Sequence, residues 1–152
     1  MPPTMLATPH TLMGILIATK VTNPWLALPL ALLSHFALDL TPHWDFFTFR
    51  EKVTLPIKKK VCLDVLIGLT VGMFFVFRAL PDRTQAANIF FSCFLANLPD
   101  GVEAPYIFLG KEWPFVMKVI KFQREHHSRL RFPWGLLTQL VLATACLLLL
   151  AL

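Results

Sequence analysis

Charged residues are scarce in this sequence of 152 residues. Only 15% of them are Asp, Glu, Lys or Arg, against about 25% in an average soluble domain, whereas 56% are hydrophobic and the mean hydropathy is +0.63. A water-soluble chain of this length needs more polar surface than such a composition supplies. The composition excludes a disordered chain, a collagen-like chain and an ordinary soluble enzyme, and it predicts a single membrane domain over residues 1–152.

Cysteine is also rare. Cys62, Cys93 and Cys146 lie far apart in apolar segments and form no C-x-x-C pair, so we expect small apolar residues and no zinc or redox site there. The sequence lacks a Gly-rich phosphate loop, a nucleophile elbow and the features of a cleaved secretory signal. Its net charge of +5 forms no continuous basic stripe, so no nucleic-acid partner is expected.

Long apolar segments dominate the rest of the chain. They lie at about residues 5–20, 24–40, 61–80, 84–98 and 133–152. A helix needs about 20 residues to cross the hydrocarbon core, so the third and fifth segments are long enough and the others are short. We expect an all-α integral membrane protein of about five helices, arranged as helical hairpins followed by a C-terminal transmembrane helix. Whether the first two segments cross the membrane or re-enter stays open.

The basic residues predict an orientation for these segments. If all five cross, 11 of the 14 Lys and Arg residues fall on the side of the N-terminus, and Lys20, Arg78 and Arg83 fall on the other. The positive-inside rule then places the N-terminus in the cytoplasm. All five histidines and eight of the nine acidic residues fall on that same side.

The richest polar segment runs from residue 34 to residue 45. His35 and Asp39 stand four residues apart on one helix face, a spacing at which they chelate one divalent ion or the acid orients the imidazole. His43 and Asp45 either continue this series or fold back over the helix end at Pro42. An ion pair at a helix terminus is the alternative reading. We favour a metal site, because ionisable residues are costly at membrane depth.

Other candidate residues lie in neighbouring segments. His10 is near the start of the first segment and Asp64 near the start of the third, where Lys60 is an alternative partner for the acid. Asp100 and Glu103 follow the fourth segment, three residues apart. They suit a second pair of oxygen ligands or a general base, and an ordinary turn is the competing interpretation.

A basic stretch precedes the last segment. Residues 123–131 contain His126 and His127 together with Arg124 and Arg129. Arginine binds phosphate through a planar fork of donors, so this stretch suits an anionic head group beside a metal. A basic loop that lies on anionic lipid is the alternative.

Taken in order, these motifs resemble the bacterial membrane-bound metal-dependent hydrolases, a family also described as LexA-regulated hydrolases. The likeness rests on His10, on the His/Asp cluster before Pro42, on Leu98-Pro99-Asp100 and on His126-His127. It implies a hydrolase of the bacterial inner membrane. The helix of His35 and Asp39 is also distantly similar to zinc-dependent phospholipase C, which implies a metal site that acts on phosphoesters.

The sequence therefore leads to the hypothesis that this is an enzyme in which metal-activated water hydrolyses a lipid or amphiphilic phosphoester at the cytoplasmic interface. Its expected partners are membrane lipids and a lipid-like phosphoester substrate, and its expected cofactor is zinc or manganese. The candidate residues are His10, His35, Asp39, His43, Asp45, Asp64, His126 and His127 for the metal, Asp100 and Glu103 for catalysis, and Arg124 and Arg129 for the substrate. A divalent-metal transporter, or a metal-binding membrane protein without catalysis, is the alternative.

Overall fold

The computed structural model describes residues 5–44, 53–126 and 128–152, so the candidate ligands Asp45 and His127 lie outside the described residues. The expected all-α fold is confirmed for this part of the chain. Its helices are α1 (Ala7–Lys20), α2 (Pro24–Asp39), α3 (Leu55–Ala79), α4 (Arg83–Leu109), α5 (Pro114–Glu125) and α6 (Trp134–Ala151). Two of them, α3 and α6, are long and apolar enough to cross a membrane.

Polar side chains begin two of these helices at the predicted tight connections. The side chain of Asn23 accepts a hydrogen bond from the backbone N–H of Trp25, and that of Asp82 accepts one from Gln85. Asn and Asp are favoured at this position because their side-chain oxygens satisfy N–H groups that lack a partner within the helix. The connections between α1 and α2 and between α3 and α4 are therefore short, as expected.

The fourth helix is longer than the sequence predicted. It continues through Pro99 and Pro105 and ends at Gly110, whose φ of 64° is left-handed and terminates the helix. Asp100 and Glu103 consequently lie one turn apart on α4, where a turn after residue 98 was the competing expectation. A proline removes a single backbone hydrogen bond, and packing against neighbouring helices compensates for that loss.

An additional short helix, α5, lies between the predicted apolar segments 84–98 and 133–152. Pro114 occupies its first turn, where a missing N–H costs nothing. Val116, Ile120 and Gln123 are buried at spacings of four and three residues, while Lys118 is exposed. Twelve residues in this pattern form an amphipathic helix, too short to cross a bilayer.

The first helix, α1, lies at the centre of the bundle and contacts α2, α3, α4 and α6. At Gly14 it passes so close to α4 that a Cβ atom would lie 2.8 Å from the carbonyl oxygen of Ser92. The core cluster around α1 consists of Leu12, Ile15, Ala18, Ile89 and Cys146. Close approach at small residues is typical of helix packing in membranes.

Interhelical contacts establish the helix directions. The start of α1 contacts Asp64 near the start of α3, and Leu6 donates a hydrogen bond to Gln139 near the start of α6, so these three helices run parallel. On α4, Asn88 contacts the end of α1 and Asn97 contacts Thr11 near its start, so α4 runs antiparallel to α1.

The alternating directions of the helices bring the predicted polar segments to one end of the bundle. This end, called the site end below, contains the start of α1, the end of α2, the second half of α4, and α5. After α2 the chain turns at Pro42, and the backbone of His43 pairs with residues 128–130, which follow α5. Because α2 ends at Asp39, His43 does not continue the helical series of His35 and Asp39.

Candidate metal centre

Two histidines and two aspartates meet at the site end. The Nε2 atom of His35 lies 3.3 Å from Asp39 Oδ2 and 3.5 Å from Asp100 Oδ1, and His10 Nε2 lies 3.5 Å from Asp39 Oδ1. The two imidazole rings stack with their centroids 4.2 Å apart. His10 and His35 are fully buried, and Asp39 is almost so. Three helices, α1, α2 and α4, therefore contribute side chains to one buried cluster.

The tautomer of His35 is set by a backbone contact. Its Nδ1 atom lies 2.8 Å from the carbonyl oxygen of Ala96, which accepts a hydrogen bond and therefore requires the proton on Nδ1. The Nε2 atom then faces the cluster, as in a metal-binding histidine whose other ring nitrogen donates to a carbonyl group. His43 shows the same pattern, because its Nδ1 donates to the carbonyl oxygen of Thr41 at 2.7 Å and its ring is buried.

Gln123 of α5 contacts two of the candidate ligand atoms. Its side-chain amide nitrogen lies 3.1 Å from His35 Nε2 and 3.1 Å from Asp100 Oδ1, so one donor reaches both acceptors. The ligand atoms of His10, His35 and Asp100 all lie within 4.8 Å of one another. A cation in place of this amide nitrogen would contact the same two atoms, His35 Nε2 and Asp100 Oδ1.

Several buried polar atoms in this region accept or donate no hydrogen bond. They include both ring nitrogens of His10 and both carboxylate oxygens of Asp39, which approach each other only at ion-pair distance. Both oxygens of Glu103, which is fully buried one turn after Asp100, are in the same condition. Buried carboxylates need hydrogen bonds, a positive partner or a metal ion. The donor set of imidazole and carboxylate groups fits zinc or manganese.

The helix geometry explains why these residues meet. His35 and Asp39 share a face of α2 through their spacing of four residues. Since α2 and α1 form a hairpin, the end of α2 lies beside the start of α1, where His10 is located. Asp100 reaches the same place only because α4 continues past Pro99.

Sequence reasoning missed Gln123 as a site residue. It belongs to the buried face of α5 with Val116 and Ile120, and it is 1% exposed. Its position in the sequence is a usable signal, because Gln123 is a polar residue that continues the apolar stripe of Val116 and Ile120. The stripe lies between the predicted apolar segments 84–98 and 133–152, where the sequence pattern predicts no helix.

Two candidate ligands have other contacts. The carboxylate of Asp64 accepts hydrogen bonds from the backbone N–H groups of Ala7 and Thr8 and from the Thr8 hydroxyl, so it caps the start of α1. His126 is exposed, donates to the carbonyl oxygen of Phe122 at 2.9 Å and stacks on the Phe122 ring. The structure brings neither residue into the buried cluster.

The two candidate substrate-binding arginines are exposed at the site end. Arg124 directly follows the buried Gln123 on α5. Arg129 forms an isolated β-bridge with His43 through the backbone, which holds this segment beside the end of α2. Both arginines therefore belong to segments at the site end, and both are exposed. Searches against protein-family models, curated proteins and solved structures found no match to this chain.

Proposed function

We propose that the protein is a membrane-embedded, metal-dependent hydrolase that acts on a lipid or amphiphilic phosphoester at the cytoplasmic interface of a bacterial inner membrane. The observation that carries this proposal is the buried cluster of His10, His35, Asp39 and Asp100, in which the ring nitrogens of His10 and the carboxylate oxygens of Asp39 make no hydrogen bond. The resemblance to the membrane-bound metal-dependent hydrolases at these residues supports it further.

The distribution of apolar side chains supports insertion into a membrane. Only 11% of the apolar window of α3 and 17% of that of α6 is buried. The core helix of a soluble protein would be mostly buried, whereas these helices present Leu66, Phe74 and Leu148 to the outside. The side chains of His10, His35 and Glu103 lie inside the bundle instead. Such an exposed apolar surface is compatible with lipid as the surrounding solvent.

In the proposed mechanism, His10, His35, Asp39 and Asp100 would hold the metal ion, and the buried ring of His43 lies at the same end of the bundle. A bound divalent metal would supply a nucleophilic hydroxide at neutral pH and polarise the phosphoryl oxygen. Glu103 would act as the acid or base, or contribute to a second ion site, because its buried carboxyl group has no other partner. Arg124 and Arg129 would hold the phosphate, each charge-assisted hydrogen bond contributing roughly 1.5 to 3 kcal/mol.

Reversible metal transport is the competing function, and the position of the histidines argues against it. The described histidines, His10, His35, His43 and His126, all lie at the site end. At the opposite end, Asn88 donates hydrogen bonds to the last carbonyl groups of α1. A transport path would require further ligands through the bilayer. The proposed site therefore acts at one membrane surface.

Turnover by the detergent-purified protein tests the proposed function. A panel of lipid phosphomonoesters and phospholipids is incubated with zinc, manganese or magnesium, and the release of product is measured. We expect activity with at least one metal, loss of activity after chelation, and loss in Asp39→Asn with the helical circular dichroism unchanged. The matched control is His126→Ala, which changes an exposed histidine and should retain full activity.

Two results would contradict the proposal. Activity that survives both chelation and Asp39→Asn would exclude metal-activated water. Absence of turnover with every combination, together with metal-dependent uptake into vesicles, would identify a transporter.

A further inference from the structure

A long apolar groove lies between α3 and α4, with α1 as its floor. Its volume is about 610 Å³, within the range of roughly 300 to 1,000 Å³ that is typical of small-molecule sites. Small residues line it, among them Gly68, Gly72, Gly101 and Ala104. The groove is open toward the outside of the bundle, because Leu66 and Phe94 on its two sides are more than half exposed.

One end of this groove reaches the metal cluster. Asp100, which belongs to the group of converging ligand atoms, also lines the groove. The other polar lining residues, Thr11, Asp64 and Asn97, lie at or next to the same end, and the lining beyond them is apolar. The groove therefore has its polar lining beside the candidate metal centre and an apolar lining from there to Val76 and Phe90.

The part of the groove that runs from the cluster to Val76 is about as long as one leaflet of a bilayer. From Asp64 to Val76, both of which line it, α3 rises by about 18 Å at roughly 1.5 Å per residue. Half of the hydrocarbon core of a bilayer is about 15 Å. A hydrocarbon chain that lies in the groove would therefore extend from the cluster to the middle of the membrane.

A positive charge marks the polar end. The Nζ atom of Lys58 donates a hydrogen bond to the carbonyl oxygen of Phe108, which lines the groove on the site side of Asp100. This ammonium group complements an anionic head group, whereas the opposite end, near Val76 and Phe90, is apolar. Charge and polarity thus predict that the polar head of an amphiphilic occupant lies at the cluster and its apolar chain points toward Val76 and Phe90.

We propose that this groove holds the hydrocarbon chain of a lipid phosphate, with the phosphate at the cluster of His10, His35 and Asp100. The proposal rests on the proposed function, since it names the substrate class of the same site. The substrate enters sideways from the cytoplasmic leaflet, between α3 and α4, without leaving the membrane. Chain burial supplies affinity, and the cluster and the basic residues select the head group.

Photolabelling tests the groove without requiring turnover. The probe is hexadecyl phosphate with a diazirine at the end of its chain, added to the purified protein in phosphatidylcholine vesicles. Mass spectrometry should find the label on α3 and α4 near Val76 and Phe90, and unlabelled hexadecyl phosphate should compete. Label spread evenly over the exposed face of α6 would overturn the proposal. Equal competition by hexadecanol would also overturn it, because the phosphate would then contribute nothing.

A substitution at Gly101 fills the groove without disturbing the helix. A Cβ atom at Gly101 would meet no other atom within 4 Å, so a larger side chain can extend into the open space. We expect Gly101→Phe to reduce labelling about tenfold, the effect of displacing roughly two methylene groups from apolar contact. Gly101→Ala and Val141→Phe should label like the unchanged protein, because the first leaves the groove open and the second alters an exposed position on α6.

Failure of the groove and failure of the hydrolase proposal give different results. Labelling at Val76 and Phe90 without any turnover would leave the groove standing and remove the hydrolase. Metal-dependent hydrolysis of the soluble ester p-nitrophenyl phosphate, unaffected by Gly101→Phe and accompanied by no labelling in the groove, would leave the hydrolase standing and remove the groove. Folding of Gly101→Phe is checked by circular dichroism, and Ala104→Phe serves as a second groove-filling variant.

Discussion

His35 is the residue around which the candidate site is organised. Its Nδ1–H group donates to Ala96, its Nε2 atom faces Asp39 and Asp100, and its ring stacks on His10. Two carboxylates so close to one buried imidazole repel each other unless a proton or a cation lies between them. A divalent ion would satisfy these groups together, which makes His35 the most informative position to change.

Replacement of His35 tests whether the cluster binds metal at all. We expect His35→Ala to weaken zinc or manganese binding about tenfold or more, because a ligand is lost and the remaining carboxylates lose their alignment. Binding is measured by competition with a calibrated chelator and by elemental analysis of the purified protein. His126→Ala is the control, since its ring is exposed and stacks on Phe122. Equal affinities of the unchanged protein, His35→Ala and His126→Ala would show that the metal binds elsewhere or does not bind.

At the scale of the helices, the site depends on how closely α1 approaches its neighbours. Backbone atoms of Ser92 and Cys93 lie 2.8 to 3.1 Å from the position of a Cβ at Gly14, and the side chain of Thr11 lies 3.0 Å from that position at Gly68. Small residues permit this contact, and the polar ends of α1 are then satisfied by α3 and α4. Asp64 caps the start of α1, while Gln85 and Asn88 bind the carbonyl groups at its end.

A larger residue at Gly14 should disrupt this packing. We expect Gly14→Val to destabilise the protein by about 1 to 3 kcal/mol, the usual cost of overpacking, because the atom in the way is a backbone oxygen that cannot rotate aside. Thermal unfolding in detergent measures the change. Gly101→Ala is the matched control, since its new methyl group meets nothing and alanine favours a helix by about 1 kcal/mol over glycine. A Gly14→Val protein as stable as the unchanged one would show that α1 and α4 are not held this closely.

For the whole molecule, the alternating helix directions collect most of the chemistry at one end. The start of α1, the end of α2 and the second half of α4 meet there, and α5 covers them with Gln123. The basic residues Lys58, Lys111 and Arg124 belong to the same end, whereas Lys20 lies at the other end of α1. If the positive-inside rule applies, the candidate centre faces the cytoplasm.

Cysteine accessibility tests this orientation. In a background without native cysteines, Lys20→Cys and Lys111→Cys introduce thiols at exposed positions on opposite ends of the bundle. We expect a membrane-impermeant maleimide to label Lys20→Cys on intact bacterial cells, and to label Lys111→Cys only after the inner membrane is opened. Labelling of both positions from outside would contradict the insertion that we propose, and the reverse pattern would invert it.

Much of the fold followed from local patterns. Apolar segment lengths and the Asn23-Pro24 and Pro81-Asp82 connections predicted helices at nearly the observed places, because helix boundaries depend on nearby residues. Two elements are exceptions. One is α5, whose mixture of polar and apolar residues resembles the composition of a loop, and the other is the second half of α4. A proline usually ends a helix, and only contacts with neighbouring helices keep α4 continuous through Pro99.

The candidate site likewise depends partly on local spacing and partly on contacts between segments that are distant in sequence. The sequence by itself determined that His35 and Asp39 share a face, since a spacing of four residues is a property of any helix. It also determined which segments share an end, provided that the helices alternate. Only the tertiary structure decided that Asp100 and Gln123 face His35, that Glu103 is buried, that Asp64 caps α1 and that His126 is exposed. Those outcomes depend on the rotation and register of helices that are distant in sequence, and packing between side chains sets both.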